Sequence, residues 1–153
     1  MARIEFLFLP SESLIQPARL FVHDFYKGVF NDAVAADQLA IAVHELLENA
    51  TKAVSADPVR LVVDADSPQA VTVQTENTVN ATELATIIDL IDRMHQAAGA
   101  GQYYQELLHQ TSTRITGSGL GLGRVWAECG LELSYALSES RITVSARTPS
   151  FTG

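Results

Sequence analysis

Residues 33–55 constrain the fold more than any other stretch of this chain. Leu39, Val43, Leu46, Leu47, Ala50 and Val54 recur there at helical spacing and fall on one face. Asp57-Pro58 ends the run, because the residue before a proline disfavours the helical conformation. A long helix with one apolar face must lie against a second layer, and the flanking segments supply it. Residues 3–9 are rich in apolar groups up to Pro10 and read as a strand. Val59–Ala65 and Ala70–Thr75 read as two strands joined by Asp66-Ser67-Pro68, and Leu131–Leu137 with Arg141–Arg147 as a closing hairpin.

Helical spacing returns between the strand groups. One helix is expected after Ser11 as N-cap, through Leu14, Ala18, Phe21, Val22 and Phe25, with Pro17 restarting or kinking it. Another covers 81–98 through Leu84, Ile87, Ile88, Ile91 and Met94, and a shorter one passes through Tyr103, Tyr104, Leu107 and Leu108. Leu120–Cys129 is a last helix that Gly130 ends. Paired strands separated by helices predict an α+β two-layer sandwich, with helices on one face of a mixed, mainly antiparallel sheet. The 153 residues suit a single domain, 1–153, without repeats or linkers.

The net charge of −8 argues against a nonspecific nucleic-acid binder, which needs a basic face. The one cysteine, Cys129, has no internal disulfide partner and sits among apolar and small residues, as a buried hydrophobe would. No apolar run reaches the roughly 18 residues of a membrane span, and Met1-Ala2-Arg3-Ile4-Glu5-Phe6 does not resemble a signal peptide. The expectation is a soluble cytoplasmic protein with neither nucleic acid nor membrane as partner.

Two constellations carry chemistry. The first is His44-Glu45-Leu46-Leu47-Glu48-Asn49-Ala50-Thr51-Lys52. At about 100° per residue, Glu45, Asn49 and Lys52 lie within about 60° of one another, on a stripe directed away from the apolar face. A carboxylate, an amide oxygen and an ammonium on one surface suit a magnesium–nucleotide site. The amide oxygen is a hard ligand for Mg²⁺, the ammonium neutralises phosphate charge, and the carboxylate can deprotonate a nucleophile. An ordinary solvated helix face is the alternative. The second constellation is Thr116-Gly117-Ser118-Gly119-Leu120-Gly121-Leu122-Gly123, followed by Arg124. Glycines at alternate positions open a helix there, although each costs roughly 1 kcal/mol relative to alanine in a helix. They let the backbone approach a ligand closely, and N–H groups at a helix start bind phosphate oxygens. A glycine-rich start packed on a neighbour is the alternative.

Taken in order, these segments resemble the GHKL (histidine kinase-like) ATPases: residues 44–53 are similar to the N box and 117–123 to the G2 box, Gly-x-Gly-Leu-Gly-Leu. Within that superfamily the chain resembles the anti-sigma-factor serine kinases and, more closely, the SiaB-like bacterial kinases of partner-switching systems. The resemblance implies a Bergerat-type ATP-binding domain using ATP and Mg²⁺. It implies Glu45 as general base, Asn49 on Mg²⁺, Lys52 on phosphate, and the amides of Gly117, Gly119 and Gly121 around the phosphates. The family's G1 box, Asp-x-Gly-x-Gly, is missing from Val73-Gln74-Thr75-Glu76-Asn77-Thr78. Strand parity puts Thr75 at the position of its adenine-binding aspartate, and a one-residue shift puts Glu76 there. Residues 80–116 would form the ATP lid or a partner-binding surface, with Arg114 either near phosphate or an exposed lid arginine, and Tyr103-Tyr104 in core or lid packing rather than a base-stacking platform.

Three functions follow as expectations. The first is a serine/threonine kinase acting on a STAS-type anti-sigma-factor antagonist or similar small regulatory protein. The second is a degenerate GHKL domain that switches partners without chemistry. The third is a subunit whose helical insert makes a homodimer through Ile87, Ile88 and Ile91, unless these fill the core.

Overall fold

The computed structural model describes residues 2–52, 56–97, 99 and 118–149, with backbone alone for 118–120. The strands are β1 (Arg3–Phe8), β2 (Val59–Ser67), β3 (Ala70–Thr78), β4 (Glu132–Ser138) and β5 (Arg141–Arg147); the α-helices are α1 (Ile15–Phe30), α2 (Ala33–Thr51), α3 (Ala81–Gln96) and α4 (Ser118–Ala127). The fold is the expected α+β two-layer sandwich. Its sheet runs β1-β2-β3-β5-β4 and every pairing is antiparallel, where a mixed sheet was expected. The helix pair between β1 and β2 explains the first pairing. One intervening helix returns a chain parallel; two antiparallel helices return it reversed.

Sheet parity separates the layers. Ile4, Val63, Val73, Ala146 and Leu133 lie in register across all five strands and are buried. Leu61, Thr75 and Val144 form the next buried row beneath the helices. The opposite face is polar and laced by Arg60–Glu5 at 2.6 Å, Gln74–Ser145 at 3.1 Å and Arg141–Glu76 at 2.8 Å. Helix α2 lies over this sheet between α1 and α4, with Leu39, Val43, Leu46, Leu47 and Ala50 buried.

Local chemistry sets the element ends. A 3₁₀ turn, Glu12–Leu14, precedes α1, so Pro17 falls in the first turn of the α-helix, where its missing N–H is not needed. The helix therefore restarts and does not kink. Asn31, in the left-handed conformation at φ 52°, closes α1, and the Asp32 carboxylate accepts from the Ala35 amide to start α2. The Asn80 side chain caps α3 in the same way. Strand β2 runs past the expected turn to Ser67, because a bulge between Ala65 and Ser67 absorbs Asp66 and leaves Pro68-Gln69 as the turn. In α3, Ile87, Leu90, Ile91 and Met94 are buried, so Ile87 and Ile91 fill the core and do not face a dimer partner. Among the described residues, no helix is long and apolar enough to cross a membrane.

Two polar contacts tie α1 to its surroundings. The fully buried Tyr26 hydroxyl donates to the Ala2 carbonyl at 2.7 Å and the Val63 carbonyl at 3.2 Å. Burial, reinforced by the charges of Asp64 and Asp66, pushes that phenol up to about 12, so it stays a donor. On the surface, His23 bridges Asp24 at 3.0 Å and Asp37 of α2 at 2.7 Å. The Asp24 and Asp37 hydrogen bonds raise its pKa above the usual histidine value. A raised base stabilises the fold fully below its unfolded pKa and loses that contribution as pH rises through the higher folded value. Thermal unfolding is therefore expected to show a small loss of stability on raising the pH from acid through neutrality. The loss should shrink in Asp37→Asn and vanish when Asp24→Asn is added; an unchanged pH profile in the double variant would contradict the assignment.

Candidate functional site

The site forms where α2 passes α4 above β3. Glu45 projects from α2 toward Gly121 of α4, and a Cβ added at Gly121 would collide with its carboxylate. Glycine at 121 therefore has a local physical reason: the helices meet with a carboxylate between them. The Glu45 side chain is only 11% exposed, so Glu45 itself does not lie on a solvated face, although Lys52 on the same stripe is exposed. Arg124, one turn beyond Gly121, reaches Glu45 at 3.3 Å and its own-helix neighbour Glu128 at 3.0 Å. Burial raises the Glu45 pKa above the ordinary carboxylate range and the Glu48 charge adds to this; Arg124 and then His44 oppose it. The result is a partly desolvated acid, steered by one guanidinium, at the seam of two helices.

The other predicted residues lie around this seam. Asn49 is half-buried one turn after Glu45, and Lys52 is exposed at the α2 C-cap. Thr75 is buried on the helix-facing side of β3, between Leu61 and Val144 in the neighbouring strands. Glu76 is on the opposite face, held by Arg141, which removes it as a substitute for the missing aspartate. The glycine-free stretch simply continues as strand to Thr78: Arg141 also bonds the Thr78 hydroxyl at 3.2 Å and the Glu76 carbonyl at 3.4 Å. Gly119 and Gly121 are inside α4, which starts at Ser118 and is closed by Gly130 at φ 68°. Gly119 lies in the first turn of α4, where N–H groups have no partner within a helix. Gly117, Arg114 and Tyr103-Tyr104 lie outside the described residues.

Sequence reasoning missed two members. Arg124 was seen only as the residue after the glycines, although helical spacing puts it one turn from Gly121 on the same side. Asn77 is buried two residues beyond Thr75 and on the same sheet face; strand parity carried that signal. The Cys129 thiol donates to the Gln38 carbonyl at 3.3 Å and is pushed up to about 11, chiefly by burial, so it is a neutral packing group. His44 is half-buried, with Nε2 at 3.8 Å from Glu48 and Nδ1 buried without a hydrogen-bond partner.

Fold and site together define an α+β sandwich whose acid-bearing central helix meets a glycine-rich helix over the sheet. No protein-family model matches the chain, and no curated protein matches it in sequence. Among solved structures it is similar to a chain in the crystal structure of the SiaB–SiaC complex from Pseudomonas aeruginosa, with a TM-score of 0.70. That likeness covers 95% of this chain and 88% of the other at 15% sequence identity, which shows a shared fold.

Proposed function

We propose that this chain is an ATP-binding regulatory protein of a bacterial partner-switching system, acting as a serine/threonine kinase on a small STAS-type protein. The observation that carries the reading is Glu45, a nearly buried acid seated over Gly121 with Asn49 one turn away. The fold likeness to a complex of SiaB with SiaC supports a small regulatory protein as partner.

The donor set fits a magnesium–nucleotide. Asn49 offers a hard amide oxygen, Lys52 an exposed ammonium, and the start of α4 offers backbone N–H groups beside a glycine. Bound ATP would supply the phosphoryl group, with Mg²⁺ offsetting its charge. Glu45 would accept the proton of the partner's hydroxyl, and its raised pKa makes it a stronger base than an exposed carboxylate. Arg124 orients that carboxylate and restrains its basicity. Thr75, with Asn77 on the same face, stands in for the missing aspartate as a neutral adenine contact.

A second reading is a switch that binds partners without chemistry. It is favoured by the glycine-free strand at Thr75–Thr78 and by the Arg124 pairing, which occupies Glu45. ATP titration by calorimetry, with and without Mg²⁺, separates the two. Saturable, Mg²⁺-dependent heat that falls at least tenfold in affinity in Asn49→Ala is expected. A folded protein giving no heat at millimolar ATP would remove the kinase reading.

A further inference from the structure

We propose that Glu128 is a positioning residue, which aims the Arg124 guanidinium at Glu45. The inference deepens the reading of Glu45 as the base of the site and rests on it. Arg124 is a long side chain, 38% exposed, and its bond to Glu45 is 3.3 Å. Such a chain spreads over many rotamers unless it is anchored. Its shorter bond, 3.0 Å from Nε, goes to Glu128. The guanidinium is a rigid plane, so a bond at Nε sets the direction in which Nη1 points.

The fold holds Glu128 where this works. Its amide donates to the Arg124 carbonyl at 2.7 Å, which carries the helical pattern past Ala127 and keeps the two side chains one turn apart. From α2, the Gln38 side-chain amide donates to the Glu128 carbonyl at 3.4 Å, and the Gln38 carbonyl accepts from the Cys129 thiol at 3.3 Å. The contacts close a loop: from Gln38 of α2 to Glu128, on to Arg124, and back to α2 at Glu45.

An ordinary surface ion pair explains this arrangement poorly. Arg124 precedes Glu128, which is the less favourable order for an i, i+4 pair on a helix. An acid at a helix C-terminus also opposes the helix dipole. Glu128 is therefore badly placed to stabilise α4 and well placed to hold Arg124.

Titration of the Glu45 carboxyl by carboxyl-carbon NMR tests this on the full chain without nucleotide, with thermal unfolding as the folding control. Glu45 faces Glu48 and His44 on its own helix and Arg124 on α4, while β3 presents the neutral Thr75 and Asn77 to the helices. The α2 and β3 groups are the same in every variant compared. The signs are opposed. Removing the negative charge of Glu128 by itself lowers the pKa of a nearby acid, whereas losing the aim of Arg124 raises it. Glu128→Ala is expected to raise the Glu45 pKa by at least half of the rise seen in Arg124→Ala. Glu128→Gln, which keeps an acceptor for Nε, should lie below Glu128→Ala. In an Arg124→Ala background, Glu128→Ala should bring no further rise. A Glu45 pKa that falls or stays put in Glu128→Ala, or a rise that persists without Arg124, overturns the proposal. Because the titration uses no nucleotide, its failure is distinct from a failure of ATP binding; the expected shifts in a chain that binds no ATP would leave the positioning intact and remove the catalytic role.

Discussion

Glu45→Gln is expected to lower phosphoryl transfer to a partner hydroxyl by ~10²–10⁴-fold, the usual contribution of a positioned general base. Glutamine keeps the shape of the side chain and an acceptor for Arg124, so the seam with Gly121 survives and the melting curve should change little. The pH profile gives a second readout. Glu45 acts only when ionised, and burial raises its pKa, so the acid limb of the wild-type rate should lie above the ordinary carboxylate range. Arg124 opposes that rise; Arg124→Ala should therefore move the limb to still higher pH. Radiolabelled transfer with candidate partners measures both. Transfer at full rate in Glu45→Gln would show that another group takes the proton.

The largest loss of stability is expected at the centre of α2. Leu47 is completely buried in the cluster formed by α2 and the sheet. Leu47→Ala removes its apolar contacts and leaves a cavity that closely packed neighbours refill only in part, costing about 2–5 kcal/mol. For a domain of this size each kcal/mol lowers the melting temperature by roughly 2–4 °C. A drop on the order of 10 °C is therefore expected in thermal unfolding. A variant that melts with the wild type would mean that α2 is not the central packing element. The same substitution should weaken ligand binding only through the unfolded fraction, because Leu47 faces the core while Glu45 and Asn49 face the seam.

Much of the architecture was legible in the chain itself. The periodicities of 33–55 and 81–98 are strong because each helix buries one stripe, and Asp32 and Asn80 mark two starts with side-chain caps. The hairpins were legible for the same reason: apolar alternation is enforced wherever one sheet face is covered. Boundaries were less so. Strand β3 reaches Thr78 through pairing on both sides and through Arg141, contacts that come from distant parts of the chain.

The sequence by itself determined the layer architecture and the identity of the acid, amide and ammonium on α2, since both follow from short-range spacing along regular elements. Only the tertiary structure decided what those groups face. It turned Glu45 from a surface residue into a nearly buried one, because α4 approaches α2 at Gly121, where no side chain intervenes. It supplied Arg124 as the partner of Glu45 from a position 79 residues away. It also turned Glu76 to the far face and left Thr75 and Asn77 under the helices, because pairing with β2 and β5 sets the register of β3. A helical wheel shows which residues share a stripe; burial, charge pairing and pKa depend on which neighbour the fold brings against it.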